Sequence, residues 1–171
     1  MVQPPEAGPV DVYISAGSNV AAEDNLRLAC RELRLRYGQL DLSGVYRNPP
    51  VGFSGDDFLN LVLRFRTAEP PVVIVTELER LHVLAGRMRG SERFAPRTLD
   101  LDLLLYGSAV NPDPGIRVPR EDILKYGFVL GPLAELAPEL RHPVTGDTMA
   151  GLWARFDQRR HPLERLGELR L

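Results

Sequence analysis

Cysteine is nearly absent: Cys30 is the one thiol in 171 residues. A single cysteine excludes an internal disulfide and a Cys-rich zinc site, and it fits a reducing compartment. By the habits of free cysteine it reads as a small buried hydrophobe on a helix. Long apolar runs are lacking too, none nearing the roughly 18 residues of a membrane span. The opening MVQPPEAGP has neither the basic start nor the apolar stretch of a secretory leader. A soluble, cytoplasmic protein with no membrane partner is expected, with residues 1–9 frayed. Charge of one sign is also missing: 21 Lys and Arg against 23 Asp and Glu leave a net −2. That balance gives no general attraction to nucleic acid, so any anion binding must be local. No G-x-x-x-x-G-K-[ST] loop occurs, which argues against a Walker-type NTPase.

What is present is ordinary for a globular chain, with 44% hydrophobic and 26% charged residues. The length suits one domain, since domains run to about 100–200 residues, and residues 10–171 are read as a single catalytic domain. VDVYISAG reads as a strand entering a turn at Gly17, Ser18 and Asn19. Leu26, Cys30, Leu33 and Tyr37 then recur at helical spacing over residues 24–37, before Gly38 as a stop. LDLSGVYRN reads as one strand, and the prolines and glycines of NPPVGFSGDD make the loop after it. FLNLVLRFRT alternates, with Leu59, Leu61, Leu63 and Phe65 on one face and Phe58, Asn60, Val62, Arg64 and Arg66 on the other. A helix is predicted over residues 72–84, stopped at Gly86, then a basic loop, then a strand over residues 98–106. VNPDPGIRVP is turn-rich, with room for a short edge strand, and FVLGPLAELAP and TMAGLWARF look helical. The order β-α-β-β-α-β with further helices predicts an α+β, ferredoxin-like sandwich, a mainly antiparallel sheet with helices packed on it.

The chemistry centres on RFAPRTLDLDLLLYG. Alternation puts Thr98, Asp100, Asp102 and Leu104 on one face and Leu99, Leu101, Leu103 and Leu105 on the other, only the second being pure core. Strand interiors disfavour Asp, and a bare buried carboxylate is costly unless paired or holding a metal. Alternate strand residues lie about 6.5–7 Å apart on one side, so the two carboxylates can converge on one Mg²⁺ or two. The competing reading is a solvent-facing edge or neutralisation by arginine. Arg87, Arg89, Arg93 and Arg97 lead into this strand; guanidinium groups suit phosphate oxygens, although a scattered charge run is usually a solvated face. Together, carboxylates and arginines are the kit of phosphoryl transfer. Phe58 and Asn60 point together after the Pro49-Pro50 loop, where a flat heterocycle could stack and pair its edge with the amide, or where both could be structural. His82 and His142 have no Cys or His partners at metal spacing.

These pieces resemble a known family. RFAPRTLDLDLLLYG is similar to the R-W-G-P-R-x-[IL]-D-[LI]-D signature of 6-hydroxymethyl-7,8-dihydropterin pyrophosphokinase. ISAGSN, VYRNPPVG…DDFLN, GRMR and VP…FVLGPLAELAPEL.HP resemble its other segments, over roughly residues 10–153. The resemblance implies transfer of a pyrophosphoryl group from ATP to the pterin hydroxymethyl group in folate biosynthesis, releasing AMP and using two Mg²⁺. By position, Asp100 and Asp102 would hold the metals, and Arg87 and Arg97 would grip the triphosphate. Phe58 and Phe128 would sandwich the pterin, and Asn60 with Asn48, Pro49, Pro50 and Val51 would read its edge. Glu79, His82, Arg89, Arg93, Arg120, Glu121 and Tyr126 fall on the nucleotide side. Phe94 and Ala95 replace the signature's Trp and Gly, His82 stands where Glu is frequent, Arg120 replaces a His, and Tyr126 replaces an Arg. Alternatives are a binding paralogue on the same scaffold that transfers poorly, or an unrelated Mg²⁺-dependent phosphotransferase or nuclease. Small-molecule partners, no nucleic acid, and a monomer with a dimer as the alternative complete the expectation.

Overall fold

The computed structural model describes residues 8–52, 54–87 and 99–170, with Arg87 described by its backbone alone. In chain order the elements are β1 (Val10–Ser18), α1 (Ala22–Tyr37), β2 (Asp41–Leu42), β3 (Val45–Asn48), β4 (Phe58–Thr67), α2 (Pro71–Arg87), β5 (Asp100–Tyr106), α3 (Asp122–Lys125), α4 (Gly127–Leu136), α5 (Met149–Arg155) and β6 (Glu164–Gly167). The sheet runs β5-β1-β4-β3-β6, with β2 also on β4, and the pairings are antiparallel. This is the expected α+β sandwich. The N-terminal stretch read as frayed lies mostly outside the described residues.

Period-2 alternation along β1 and β4 divides the core into two layers. On one side, Val12, Ile14, Leu61, Leu63 and Phe65 pack with Leu26, Cys30 and Leu33 of α1 and Ile74, Leu78 and Leu81 of α2. Burial pushes the Cys30 thiol up to about 12, against the opposing pull of Arg34, so it sits in the core as an inert hydrophobe. On the other side Tyr13, Val62 and Leu104 pack with Ile123, Val129, Leu130, Leu133 and Met149 of α3, α4 and α5. Far from being half solvated, the mixed faces of β4 and β5 are therefore core over part of their length and a site over the rest.

Five local expectations are corrected. LDLSGVYRN is two strands, because the register against β4 slips by one residue between Leu42↔Leu63 and Tyr46↔Asn60. At the break the Ser43 hydroxyl accepts the Val62 N–H at 2.9 Å in place of a ladder carbonyl, a local bulge device. In β5 the register with β1 jumps from Leu103 to Leu105, opposite Ile14 and Tyr13. The extra residue turns Leu105 over, so it joins Leu104 in the second core layer instead of Leu99, Leu101 and Leu103 in the first. The turn drawn at Gly17 begins later, since β1 continues through Ser18. Helix α2 runs through Gly86 to Arg87, because Gly86 does not take the left-handed conformation that Gly38 takes at φ 82° to end α1. The strand predicted to start at residue 98 starts at Asp100. The short helix α3 and strand β6 carry no period that pattern reading could use, and neither was anticipated. The edge strand allowed for in VNPDPGIRVP is one bridge, Asn111↔Val118.

Candidate active site

Three neighbouring strands build the floor of a cavity of about 280 Å³. Gly17 of β1 lies opposite both Asn60 of β4 and Asp100 of β5, and Ser15 lies opposite Asp102. These residues point away from the α1–α2 layer, so Asp100, Asp102, Ser15, Gly17, Asn60 and Phe58 face one space. Phe128 and Val129 of α4 and Tyr126 at its N-cap, with Asp122 of α3, close it from above, and Asn48 and Val51 close its end. The floor is low at Gly17 for a definite reason. A Cβ there would stand 2.5 Å from the Asn60 side-chain oxygen.

The amide end of the cavity is ordered by side chains. Asn60 donates through Nδ2 to Asn48 Oδ1, and Asn48 Nδ2 donates to the Pro49 carbonyl at 3.1 Å. Asn60 and Asn48 are both buried. Asn60 thus has its donor engaged and its carbonyl oxygen turned toward Gly17, a fixed polar edge beside the ring of Phe58. Phe128 lies in the same cavity and stacks on Tyr126, with centroids 5.0 Å apart and planes 19° apart. Pro49 and Pro50 belong to an adjoining groove of about 220 Å³ that shares Asn48, Val51 and Phe128 and is bounded by residues 160–163.

The opposite end is ionic. Arg120 reaches Asp102 at 3.4 Å and Asp122 at 3.1 Å, and its backbone N–H is anchored on the Leu104 carbonyl at 2.9 Å. Burial above all, partly offset by Arg120 and reinforced by Asp100 and Asp122, holds the Asp102 carboxyl above its usual range. A cation at this wall would favour the ionised form. Among the described residues no group of three His, Cys, Asp or Glu side chains is placed to hold a metal ion. Two neighbouring carboxylates on the wall, Asp100 and Asp102, fit Mg²⁺, which takes one or two carboxylates and completes its shell with water and phosphate oxygens.

The remaining sequence-predicted residues distribute unevenly. Arg89, Arg93 and Arg97, like Phe94 and Ala95, lie outside the described residues, and the Arg87 side chain does as well. Tyr126, read on the nucleotide side, lines the cavity with the pterin-side Phe128. Glu121 points to Arg117 and Lys125 at 3.0 and 3.1 Å and lines no part of the cavity. Glu79 is exposed on α2, and His82 turns to the backbone of β5. Sequence reading missed Ser15, Asp122 and Val129 and gave Gly17 no role. Only Gly17 carried a signal, as a glycine inside a strand pattern.

The chain is 35% identical over 136 residues to the 2-amino-4-hydroxy-6-hydroxymethyldihydropteridine pyrophosphokinase of Pseudomonas aeruginosa, covering 77% of this chain and 83% of that protein. It is 33% identical over 138 residues to the enzyme of the same name from Haemophilus influenzae, covering 78% and 86%. A crystal structure of Plasmodium falciparum HPPK-DHPS with pterin and p-hydroxybenzoate superposes with a TM-score of 0.70 at 13% identity, a likeness of fold. It covers 90% of this chain, which spans 44% of that longer one. The model of one family matches residues 13–138, a span that takes in every described wall of the cavity. The chain belongs to the 7,8-dihydro-6-hydroxymethylpterin-pyrophosphokinase (HPPK) family.

Proposed function

We propose that the protein transfers the β,γ-pyrophosphoryl group of ATP to the hydroxymethyl group of 6-hydroxymethyl-7,8-dihydropterin, giving AMP, in folate biosynthesis. One observation carries this reading. The carboxylates of Asp100 and Asp102 open into the same cavity as Phe58, Phe128 and the Asn60–Asn48 pair, so a flat heterocycle and a phosphate chain would meet at one wall.

Phe58 and Phe128 would hold the pterin ring by its faces, and the Asn60 oxygen with backbone groups at residues 48–51 would fix its edge. Asp100 and Asp102 would hold Mg²⁺, two ions in the full reading, which when bound neutralises phosphate charge and brings the two substrates together. Arg87 and Arg97 would grip the triphosphate, with Arg89, Arg93, Arg120 and Tyr126 on the nucleotide side. The hydroxymethyl oxygen attacks the β-phosphorus, the bond from that phosphorus to the α-phosphate oxygen breaks, and the hydroxyl proton leaves to solvent. No described side chain in the cavity is a neutral histidine or lysine poised as a base, which suits a reaction driven by positioning and charge stabilisation. A monomer is the working unit in this reading, and the free buried thiol supports a cytoplasmic setting.

The test is AMP formation from ATP and Mg²⁺ with and without the pterin. AMP that appears only with the pterin is expected. Pterin binding without AMP would leave the chain as a binding paralogue, and AMP released without any pterin would point to a different acceptor.

A further inference from the structure

Among the described residues strand β5 is the edge of the sheet, with β1 as its one neighbouring strand. Asp100 and Asp102 stand opposite Gly17 and Ser15 in the β1 ladder. The backbone N–H of Leu101, between them, points outward, where an edge strand has no ladder partner. It is not left to water: His82, on α2, accepts it through Nε2 at 2.8 Å. A ring nitrogen that accepts a hydrogen bond carries no proton, so the ring proton is on Nδ1, which faces Glu79 Oε1 at 3.3 Å. The His82 side chain is only 15% exposed while Glu79 is 68% exposed. The relay therefore runs from a solvent-facing carboxylate through a packed imidazole to the one backbone amide that separates the two aspartates.

We infer that His82 is a positioning residue: it fixes the edge of β5 at Leu101 and thereby sets the spacing and aim of the Asp100 and Asp102 carboxylates toward a divalent cation, with Glu79 fixing the ring's tautomer. The inference rests on the reading of those two aspartates as the metal-holding pair. Its physical basis is the narrow geometry Mg²⁺ accepts, near-octahedral at about 2.0–2.1 Å, against the freedom of an edge strand, laddered on one side alone, to shift. Leu101 itself is buried in the α1–α2 core layer and Leu81, next to His82, packs in that same layer. Core packing thus holds the strand against the helix, and the His82 bond sets its position along the helix axis. Partners that orient a metal-binding group without touching the metal typically change affinity about 10–100-fold when removed.

The test uses Mn²⁺ as a paramagnetic stand-in, titrated into the full-length protein with a non-hydrolysable ATP analogue present and read by electron paramagnetic resonance. His82→Leu, which keeps bulk but loses the acceptor, is expected to weaken Mn²⁺ binding about tenfold or more. His82→Gln, whose amide oxygen can take the place of Nε2, is expected to recover most of it. Turnover of His82→Leu should return toward that of the unmodified protein as Mg²⁺ is raised, a change in metal requirement that mere loss of stability would not produce. In the same samples the Leu101 amide should exchange with deuterium faster in His82→Leu than in His82→Gln. Equal Mn²⁺ affinity in a folded His82→Leu protein overturns the inference, and so does a His82→Gln protein no better than His82→Leu. Asp102→Asn separates the two layers of the reading. If it binds Mn²⁺ as tightly as the unmodified protein, the aspartate assignment has failed on its own, without His82 being touched, and the inference built on it falls with it.

Discussion

Gly17 is a residue whose missing side chain shapes a site. Its Cα lies between Asn60 and Asp100 across three strands, and any Cβ would meet the Asn60 oxygen at 2.5 Å. Gly17→Ala should push Asn60 off Asn48 and raise KM for the pterin by about tenfold. Overpacking of this kind costs about 1–3 kcal/mol, and a pterin titration monitored by fluorescence would measure it; unchanged affinity would mean that Asn60 does not read the ring. Asp102→Asn keeps the shape and removes the charge. AMP production should fall more than about a hundredfold, beyond the loss typical of a group that merely supports a ligand, while the melting temperature is held or raised, because burial already disfavours that carboxylate.

Another residue speaks to pH. His142 is buried, and its Nδ1 accepts from the backbone N–H groups of Val144 and Thr145 at 3.1 and 3.2 Å. Burial, against the opposing charge of Asp147, holds its pKa below the usual histidine value. The unfolded chain therefore binds a proton first as pH falls. The stability supplied by the neutral ring is complete above about pH 6.5 and is lost as pH falls through the lower, folded value. Urea midpoints at about pH 7.5 and about pH 5 should differ less in His142→Asn, which keeps an acceptor near the Nδ1 position and cannot titrate in that range.

At the scale of elements, β6 is the clearest surprise, a strand formed by ERLG with no alternating pattern. It is held by what it meets. It pairs with β3, and Arg165 donates to Glu135 of α4 at 2.5 Å. Glu135 also accepts from Tyr46 at 3.0 Å and from the Gly44 N–H, so one carboxylate ties β6, β3 and α4 together. Burial would raise the Glu135 pKa, but Arg165, Gly44 and Tyr46 outweigh it and hold the carboxyl below its usual range. Its contribution is present above the unfolded carboxyl value and fades as pH falls through the folded one. Glu135→Gln should lower the melting temperature at neutral pH by about 2–4 °C, the shift of roughly 1 kcal/mol at this length. The difference from the unmodified protein should narrow in acid, and a difference that stays constant with pH would deny the carboxylate this role. The bulge in β5 belongs to the same scale: Leu103, Leu104 and Leu105 are alike as residues, and only pairing with Tyr13 and Ile14 assigns two of them to the second core layer.

At the scale of the whole molecule, the sheet separates an apolar layer under α1 and α2 from a layer shared between core and cavity under α3, α4 and α5. The cavity is walled from both halves of the chain, so ligands should brace the fold broadly. With ATP analogue, Mg²⁺ and pterin each at a hundred times its Kd, the first ligand alone is worth about 2.7 kcal/mol, and a rise in melting temperature of roughly 5–10 °C or more is expected at this length. Calorimetry with and without ligands would show it, and no rise would mean that the cavity is not the binding site.

The sequence by itself determined the two periodicities that make β1, β4, α1 and α2, and it placed Asp100 with Asp102 on one face of their strand and Phe58 with Asn60 on one face of theirs, because strand alternation is a local property that does not depend on a partner. It also carried the family signature, with its arginines. Tertiary structure alone decided the rest. The slip at Ser43 and the turnover of Leu105 arise from pairing between strands; β6 and α3 exist because other elements supply their partners; and Gly17 matters only because Asn60 and Asp100 lie on either side of it. The aim of His82 was decided in the same way. A histidine on a helix has no role until an edge strand brings an unpaired N–H within 2.8 Å, and hydrogen bonds across that distance in sequence are fixed by packing, which no local pattern encodes.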